Sequence, residues 1–143
     1  ELDQALAASD TRNARRLPFR GDIPELLLAA DIACLVSEFE GLPVFLLEAL
    51  QLGRPFVATD VGDIARVVRP SGAGRVAGPP GDLDALASAL RELLDPAARH
   101  AAGAAAAAAA ANFGVASCAA RYGTVFRSAI ASRHDSGAGA AAT

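Results

Sequence analysis

Short apolar runs alternate with longer segments whose apolar residues recur at helical spacing. The runs at Asp31–Val36, Pro55–Thr59 and Gly74–Ala77 are interpreted as strands. The first is apolar almost throughout, as expected for a strand covered on both faces. Helical segments separate the runs, and this alternation predicts a parallel sheet covered by helices. The predicted fold class is therefore α/β.

Turn and capping residues predict where the first elements begin and end. Arg16–Phe19 is predicted to form a short strand. Asp22 is predicted to cap a helix that reaches Ala30, with Glu25 completing a capping box. Pro43–Leu52 is the next helix, because proline suits a first turn and a glycine follows its end. Ile64–Val68 is expected to add one or two helical turns.

The chain from Asp82 to Ala131 is predicted to be mostly helical. Asp82 caps a leucine-rich helix, which Asp95-Pro96 interrupts, and an alanine-rich helix follows to Ala111. Asn112-Phe113-Gly114 ends that helix, and a final helix is expected over Val115–Ala131. Its large apolar residues lie on one side: Tyr122, Val125, Phe126 and Ile130. The small and polar residues 132–143 are expected to be disordered.

Composition narrows the function classes. The chain has 143 residues, 52% of them hydrophobic and 20% charged, which fits one folded domain. Its formal net charge of −3 argues against a nucleic-acid-binding surface and a polybasic membrane anchor. We therefore expect no nucleic-acid partner.

The cysteines and histidines indicate neither disulfides nor a metal site. Cys34 and Cys118 have no Cys-x-x-Cys spacing and lie among small or apolar residues, so both are expected to be buried. A reducing, cytoplasmic location follows as an expectation. His100 and His134 lie far apart, and no carboxylate cluster suggests a metal, so we predict no bound metal.

The segment Ser37–Leu50 carries the candidate chemistry, because it follows a predicted strand and opens a helix. Ligands of open parallel sheets bind beyond the carboxyl ends of the strands. Here the N–H groups of Gly41, Leu42, Val44 and Phe45 precede or begin the helix and lack intrahelical acceptors. Together with the helix dipole, they favour a phosphate.

Two carboxylates flank these amides, Glu40 in the loop and Glu48 in the helix. A carboxylate repels phosphate but is a strong acceptor for hydroxyl groups. A phosphate and hydroxyl groups bound between two acids fit a sugar nucleotide. The purely structural alternative stays open: Glu40 as a solvated loop acid and Glu48 as a helix-surface residue.

The sequence around these acids resembles glycosyltransferase family 4. The similarity lies in Glu-Gly-Leu-Pro-Val-Phe-Leu-Leu-Glu-Ala at 40–49 and in Leu-Gly-Arg-Pro-Phe-Val-Ala-Thr-Asp-Val-Gly at 52–62. The family's Glu-x7-Glu motif falls on Glu40 and Glu48. In element order the resemblance extends from about Leu17 to Phe126.

This resemblance implies a GT-B fold, in which two Rossmann-like domains face each other across a cleft. Residues 1–131 would be part of the C-terminal, donor-binding Rossmann-like domain, with extra C-terminal helices. The first strands of that domain and the N-terminal acceptor domain are expected elsewhere in a longer enzyme, and the isolated piece is expected to be inactive. Such enzymes transfer a sugar, with retention, from a nucleotide-diphosphate sugar to an acceptor.

The resemblance also implies roles for residues. Glu40 would be the catalytic residue and would contact hydroxyls of the donor sugar. It would not be a covalent nucleophile, because in this fold the acceptor is thought to attack the same face of the sugar that the diphosphate leaves. Glu48 would hold the ribose hydroxyls, and the intervening backbone would lie against sugar and diphosphate. The predicted donor-binding residues are Glu40, Gly41, Leu42, Pro43, Val44 and Glu48.

Two departures from the family pattern affect the next loop. Gly62-Asp63 stands where Gly-Gly is usual, and Ala65-Arg66 where Pro-Glu is frequent. The additional carboxylate of Asp63 either repels the diphosphate or points to solvent.

The expected partners are a nucleotide-sugar donor, an unidentified acceptor and the N-terminal domain, with no cofactor besides the donor; membrane association is left open. Two alternatives remain. One is a non-catalytic sugar-nucleotide-binding or interaction module of the same fold, and the other is an epimerase or phosphorylase of that fold.

Overall fold

Three short parallel strands form the sheet of this protein. The computed structural model describes Gln4 and residues 13–138, with side chains as far as residue 132. The strands are β1 (Ala33–Leu35), β2 (Phe56–Ala58) and β3 (Gly74–Val76), in the order β1-β2-β3. Each pairs in parallel with its neighbour, so their carboxyl ends lie at one edge of the sheet.

Helices connect and cover these strands in the predicted order. They are α1 (Ile23–Ala29), α2 (Val44–Gln51), α3 (Ile64–Ser71), α4 (Leu83–Leu94), α5 (Pro96–Ala110), a 3-10 turn (Ala111–Phe113) and α6 (Val115–Ala138). The helices α2 and α3 connect consecutive parallel strands, as βαβ units require. The predicted α/β class is confirmed.

The central strand β2 is buried on both faces. Phe56 and Ala58 contribute to one hydrophobic cluster, and Val57 to a second cluster. Alternating side chains of a strand point to opposite faces, so the sheet separates two cores. The helices α1, α2 and α3 contribute to the first core, α4 contributes to the second, and α5 contributes to both.

The alanine-rich helix α5 is a packing element. Ala106 is fully buried in the first core and Ala102 is buried in the second. The helix packs against α2 and α4. Its small side chains allow a close approach, because a Cβ added at Gly103 would come within 3.0 Å of the Gly53 carbonyl oxygen.

The prediction that both cysteines are buried is wrong. Cys34 and Cys118 are exposed. Cys34 shares its face of the sheet with Val57, and the helix that covers this face, α4, packs on β2 and β3. The prediction that β1 is covered on both faces is therefore wrong. Val36, just beyond the strand, is 57% exposed. Partial desolvation nevertheless raises the pKa of the Cys34 thiol.

The strand predicted over Arg16–Phe19 is also absent. This segment has no regular structure, and the Phe19 side chain is fully exposed. Within the described residues β1 pairs with β2 alone, so no partner strand fixes the segment at the sheet.

The N-cap predicted at Asp82 is confirmed, the one predicted at Asp22 is wrong, and Asp95 caps a helix although no cap was predicted there. The carboxylates of Asp82 and Asp95 accept hydrogen bonds from the N–H groups of Ala85 and Ala98, at 2.9 and 2.8 Å. Asp22 occupies the N-cap position of α1 without a capping bond, so the predicted capping box is absent.

The side chain of Arg20 explains the missing cap. Its guanidinium donates to both carboxylate oxygens of Asp22, which draws the carboxylate away from the helix. This hydrogen-bonded cation also lowers the pKa of Asp22.

The last helix is longer and more exposed than the pattern suggested. It continues past the predicted end at Ala131 to Ala138, since no proline interrupts it. Of the tail expected to be disordered, 132–138 therefore has helical backbone, and 139–143 lies outside the described residues. The large apolar side chains of α6 are exposed: Val115, Tyr122, Val125, Phe126 and Ile130.

Within the described residues, no single helix is long and apolar enough to cross a membrane. Pro96–Phe113 and Val115–Ser132 pass that test only as a pair, with a bend of 43° between them.

Candidate functional site

All the predicted donor-binding residues except Glu48 follow the carboxyl end of β1 in one segment. The loop after β1 carries Glu40, Gly41 and Leu42, Pro43 is the N-cap of α2, and Val44 begins that helix. Pro43 is buried, whereas Gly41 and Val44 are exposed and Leu42 is half-buried. A Cβ added at Gly41 would meet no atom within 4 Å, so the backbone here is open to a ligand.

The N-terminus of α2 presents free amides at this loop. The N–H groups of Leu46 and Leu47 donate to the carbonyl of Pro43, at 3.1 and 3.4 Å. The N–H groups of Val44 and Phe45 precede these bonds, where a helix has no intrahelical acceptor. They lie at the positive end of the helix dipole, which suits an anion.

Neither candidate carboxylate is buried in the core. Glu40 is half-buried, and its Oε1 accepts a hydrogen bond from the Ser37 hydroxyl at 2.8 Å. Glu48 lies on the second turn of α2, also half-buried. Within the described residues its carboxylate has no hydrogen-bond or ion-pair partner, so its acceptor capacity is available to a ligand.

A buried hydroxyl joins the ends of β1 and β2. The Thr59 hydroxyl donates to the carbonyl of Ser37 at 2.7 Å and accepts from the N–H of Ser37 at 3.1 Å. Thr59 also donates its own N–H to the carbonyl of Leu35, at 3.2 Å. The start of the Glu40 loop is thereby tied to the central strand.

The loop after β2 packs against the Glu40 loop. The N–H of Asp63 donates to the carbonyl of Gly41 at 2.9 Å. Gly62 adopts a φ of +55°, and a Cβ there would overlap the carbonyl oxygens of Glu40 and Gly41. Only glycine allows this approach without displacing one of the two loops.

Asp63 and Arg66, at which the sequence departs from the family pattern, form an ion pair. The guanidinium of Arg66 donates to both carboxylate oxygens of Asp63, at 3.1 and 2.9 Å. Both side chains are more than half exposed. The Asp63 carboxylate is therefore solvated and accompanied by a cation, which favours the second of the two outcomes considered for it.

The part of the chain that the structure describes contains no group of three or more His, Cys, Asp or Glu side chains able to hold a metal ion. The absence of a metal from the reaction stays a prediction.

A comparison with sequence families decides the relationship. The model of the family described as glycosyl transferases group 1 matches residues 1–96. The chain belongs to the group 1 glycosyltransferases. The resemblance is confirmed at this level, and the narrower assignment to family 4 stays a prediction.

One curated relative of this group 1 glycosyltransferase chain is the MMP alpha-(1->4)-mannosyltransferase of Mycolicibacterium hassiacum. It is 36% identical over 74 residues, which are 52% of this chain and 18% of the relative.

Two solved structures are similar to this group 1 chain in fold. Anabaena Alr3699/HepE, solved in complex with UDP-glucose, has a TM-score of 0.76 and 27% identity over 89% of this chain and 36% of its own. The sucrose-phosphate synthase of Thermosynechococcus elongatus has a TM-score of 0.65 and 29% identity over 75% of this chain and 27% of its own. The likeness to these two structures confirms the expected fold class, an α/β fold of GT-B type. The chain thus spans about a third or less of the length of each of these three proteins.

The structure places residues 40–44 after the carboxyl end of β1 and Glu48 within the helix that follows, but the roles of these residues stay predictions. The sequence interpretation gave no role to Ser37 or Thr59. A threonine that ends an apolar strand run, Pro55–Thr59, was the available signal, because a hydroxyl buried at a strand end needs partners.

Proposed function

We propose that this chain is the donor-binding part of a retaining glycosyltransferase that uses a nucleotide-diphosphate sugar. The observation that carries the proposal is the open N-terminus of α2, with Glu40 before it and Glu48 on its second turn. Membership of the group 1 glycosyltransferases supports the reaction class, and a structural neighbour solved with UDP-glucose supports the class of donor.

Each group then has a task in the transfer. The bond between the anomeric carbon and the diphosphate oxygen breaks while the acceptor oxygen bonds to the same carbon. The acceptor's proton leaves with the nucleoside diphosphate. Negative charge grows on the departing phosphate, where the amides of Val44 and Phe45 stabilise it. Glu40 binds hydroxyls of the sugar, and Glu48 binds those of the ribose.

Donor binding tests this assignment in a longer protein that contains this chain. Calorimetric titration with UDP-glucose and with GDP-mannose is compared for the wild type, Glu40→Gln and Glu48→Gln. A hydrogen bond to a charged acceptor contributes roughly 1.5–3 kcal/mol, so each variant is expected to bind about ten- to a hundredfold more weakly. Glutamine keeps the shape of the side chain and removes its charge.

Glu38→Gln is the matched control, since Glu38 lies in the same loop and is exposed. Its affinity is expected to equal that of the wild type. Equal binding by all three variants would contradict the roles of the two acids. Donor binding without sugar transfer by a longer protein that contains this chain would favour the non-catalytic module instead.

A further inference from the structure

Thr59 is the one buried polar residue among those that the structure describes, with 3% of its surface exposed. It follows β2 directly and faces the end of β1. Both hydrogen-bonding capacities of its hydroxyl are used on the backbone of a single residue, Ser37. This side chain therefore extends the pairing of β1 and β2 beyond the last ladder residues.

The contact continues from Ser37 to the site. The Ser37 hydroxyl donates to Oε1 of Glu40 at 2.8 Å. A sequence of hydrogen bonds thus runs from the buried end of β2, through Ser37, to the carboxylate proposed to bind the sugar. In the described structure, the Ser37 hydroxyl is the hydrogen-bond partner of that carboxylate.

Such a connection sets the geometry of Glu40 before a donor arrives. A half-buried carboxylate on an untied loop would sample many orientations, and binding would have to select one of them. Side chains held by supporting hydrogen bonds lose less conformational entropy on binding, since they are already in the binding orientation.

We propose that Ser37 and Thr59 are positioning residues for Glu40. Thr59 holds the start of the loop through the backbone of Ser37, and Ser37 orients the carboxylate through its hydroxyl. The inference rests on the proposed function, because the carboxylate is oriented for the hydroxyls of a donor sugar.

The test separates positioning from a general contribution to folding. Thr59→Val removes the hydroxyl at similar size, and Thr59→Ser retains it. We expect Thr59→Val to bind UDP-glucose or GDP-mannose about tenfold more weakly, as loss of preorganisation requires. Amide exchange at Ser37 should become faster relative to Val57 in the adjacent strand. Thr59→Ser should restore both properties.

The Ser37→Ala variant separates the contribution of the Ser37 hydroxyl from that of Thr59. It removes only the hydroxyl that reaches Glu40, so donor affinity should fall while the Ser37 amide stays protected by Thr59. Leu93→Val is the stability control, because Leu93 is fully buried in the second core, on the other face of the sheet. It should lower stability without accelerating loop exchange selectively.

The outcomes distinguish this inference from the proposed function. A wild type that binds neither donor overturns the proposed function, and the inference with it. A wild type that binds, with unchanged affinity in Thr59→Val, overturns the inference alone. A loss in Thr59→Val that Leu93→Val reproduces at equal destabilisation also overturns it, because the role would then be structural.

Discussion

At the scale of single residues, Gly62 determines how closely the two site loops approach. Its φ of +55° and the space occupied by the carbonyl oxygens of Glu40 and Gly41 both exclude a side chain. The adjacent peptide then donates to the carbonyl of Gly41. The position of the Glu40 loop thus depends on the loop after β2 as well as on the strand that precedes it.

Gly62→Ala is therefore expected to destabilise the protein by at least about 2 kcal/mol. An alanine at positive φ costs roughly 1–2 kcal/mol, and the overlap with two carbonyl groups adds to that cost. Gly81→Ala is the matched control, because Gly81 has a φ of +91° with no atom within 4 Å of an added Cβ. Urea unfolding measures both, and equal losses would contradict the close packing proposed for Gly62.

The sequence predicts only those parts of the site that lie close together along the chain. The acids, the glycine and the helix N-terminus lie within a few residues of one another, so one segment indicated them all. Thr59 and Ser37 are 22 positions apart in the chain. Their contact exists only because β1 and β2 are neighbours in the sheet, and no local pattern specifies it.

At the scale of elements, an aspartate before a helix is not always a cap. Asp82 and Asp95 bond to the first turns of α4 and α5, whereas the carboxylate of Asp22 is bound by Arg20. The sequence predicts a cap at Asp82 and at Asp22 alike, and only Asp82 forms one. Competition by a nearby cation decides the outcome at α1.

Replacing these aspartates with alanine should give unequal losses. Asp95→Ala and Asp82→Ala are expected to lower the free energy of unfolding by about 1 kcal/mol each, since an N-cap bond is lost. Asp22→Ala is expected to cost clearly less, because the exposed ion pair that it removes is a weak interaction. Chemical denaturation of the three variants at neutral pH tests this order, and an equal loss at Asp22 would contradict it.

At the scale of the whole molecule, α5 joins the two cores. Its alanines show little more than high helix propensity in the sequence, yet Ala106 is buried in the first core and Ala102 in the second. Larger side chains would separate α5 from its neighbours. A small side chain is therefore required for packing at the buried positions of this helix. At its exposed positions no such requirement applies.

Two substitutions in the same helix test this distinction. Ala106→Leu is expected to destabilise the protein by about 1–3 kcal/mol, because Ala106 has no exposed surface and the core is overpacked by a larger residue. Ala101→Leu, at an exposed position, should change stability by no more than about 0.5 kcal/mol. Thermal unfolding measures both, and similar melting temperatures would contradict the packing role of α5.

The amino-acid sequence by itself determined the α/β class, the order of the helices and strands from β1 onward, the relationship to glycosyltransferases and the segment that holds the candidate site. These properties arise from periodicity, capping residues and a motif, all of which lie within short stretches of chain. Tertiary structure alone decided the exposure of Cys34, the missing strand at Arg16–Phe19, the uncapped α1 and the contact of Thr59 with Ser37. Each of these depends on which side chains and strands become neighbours on folding, and distant neighbours leave no local signal.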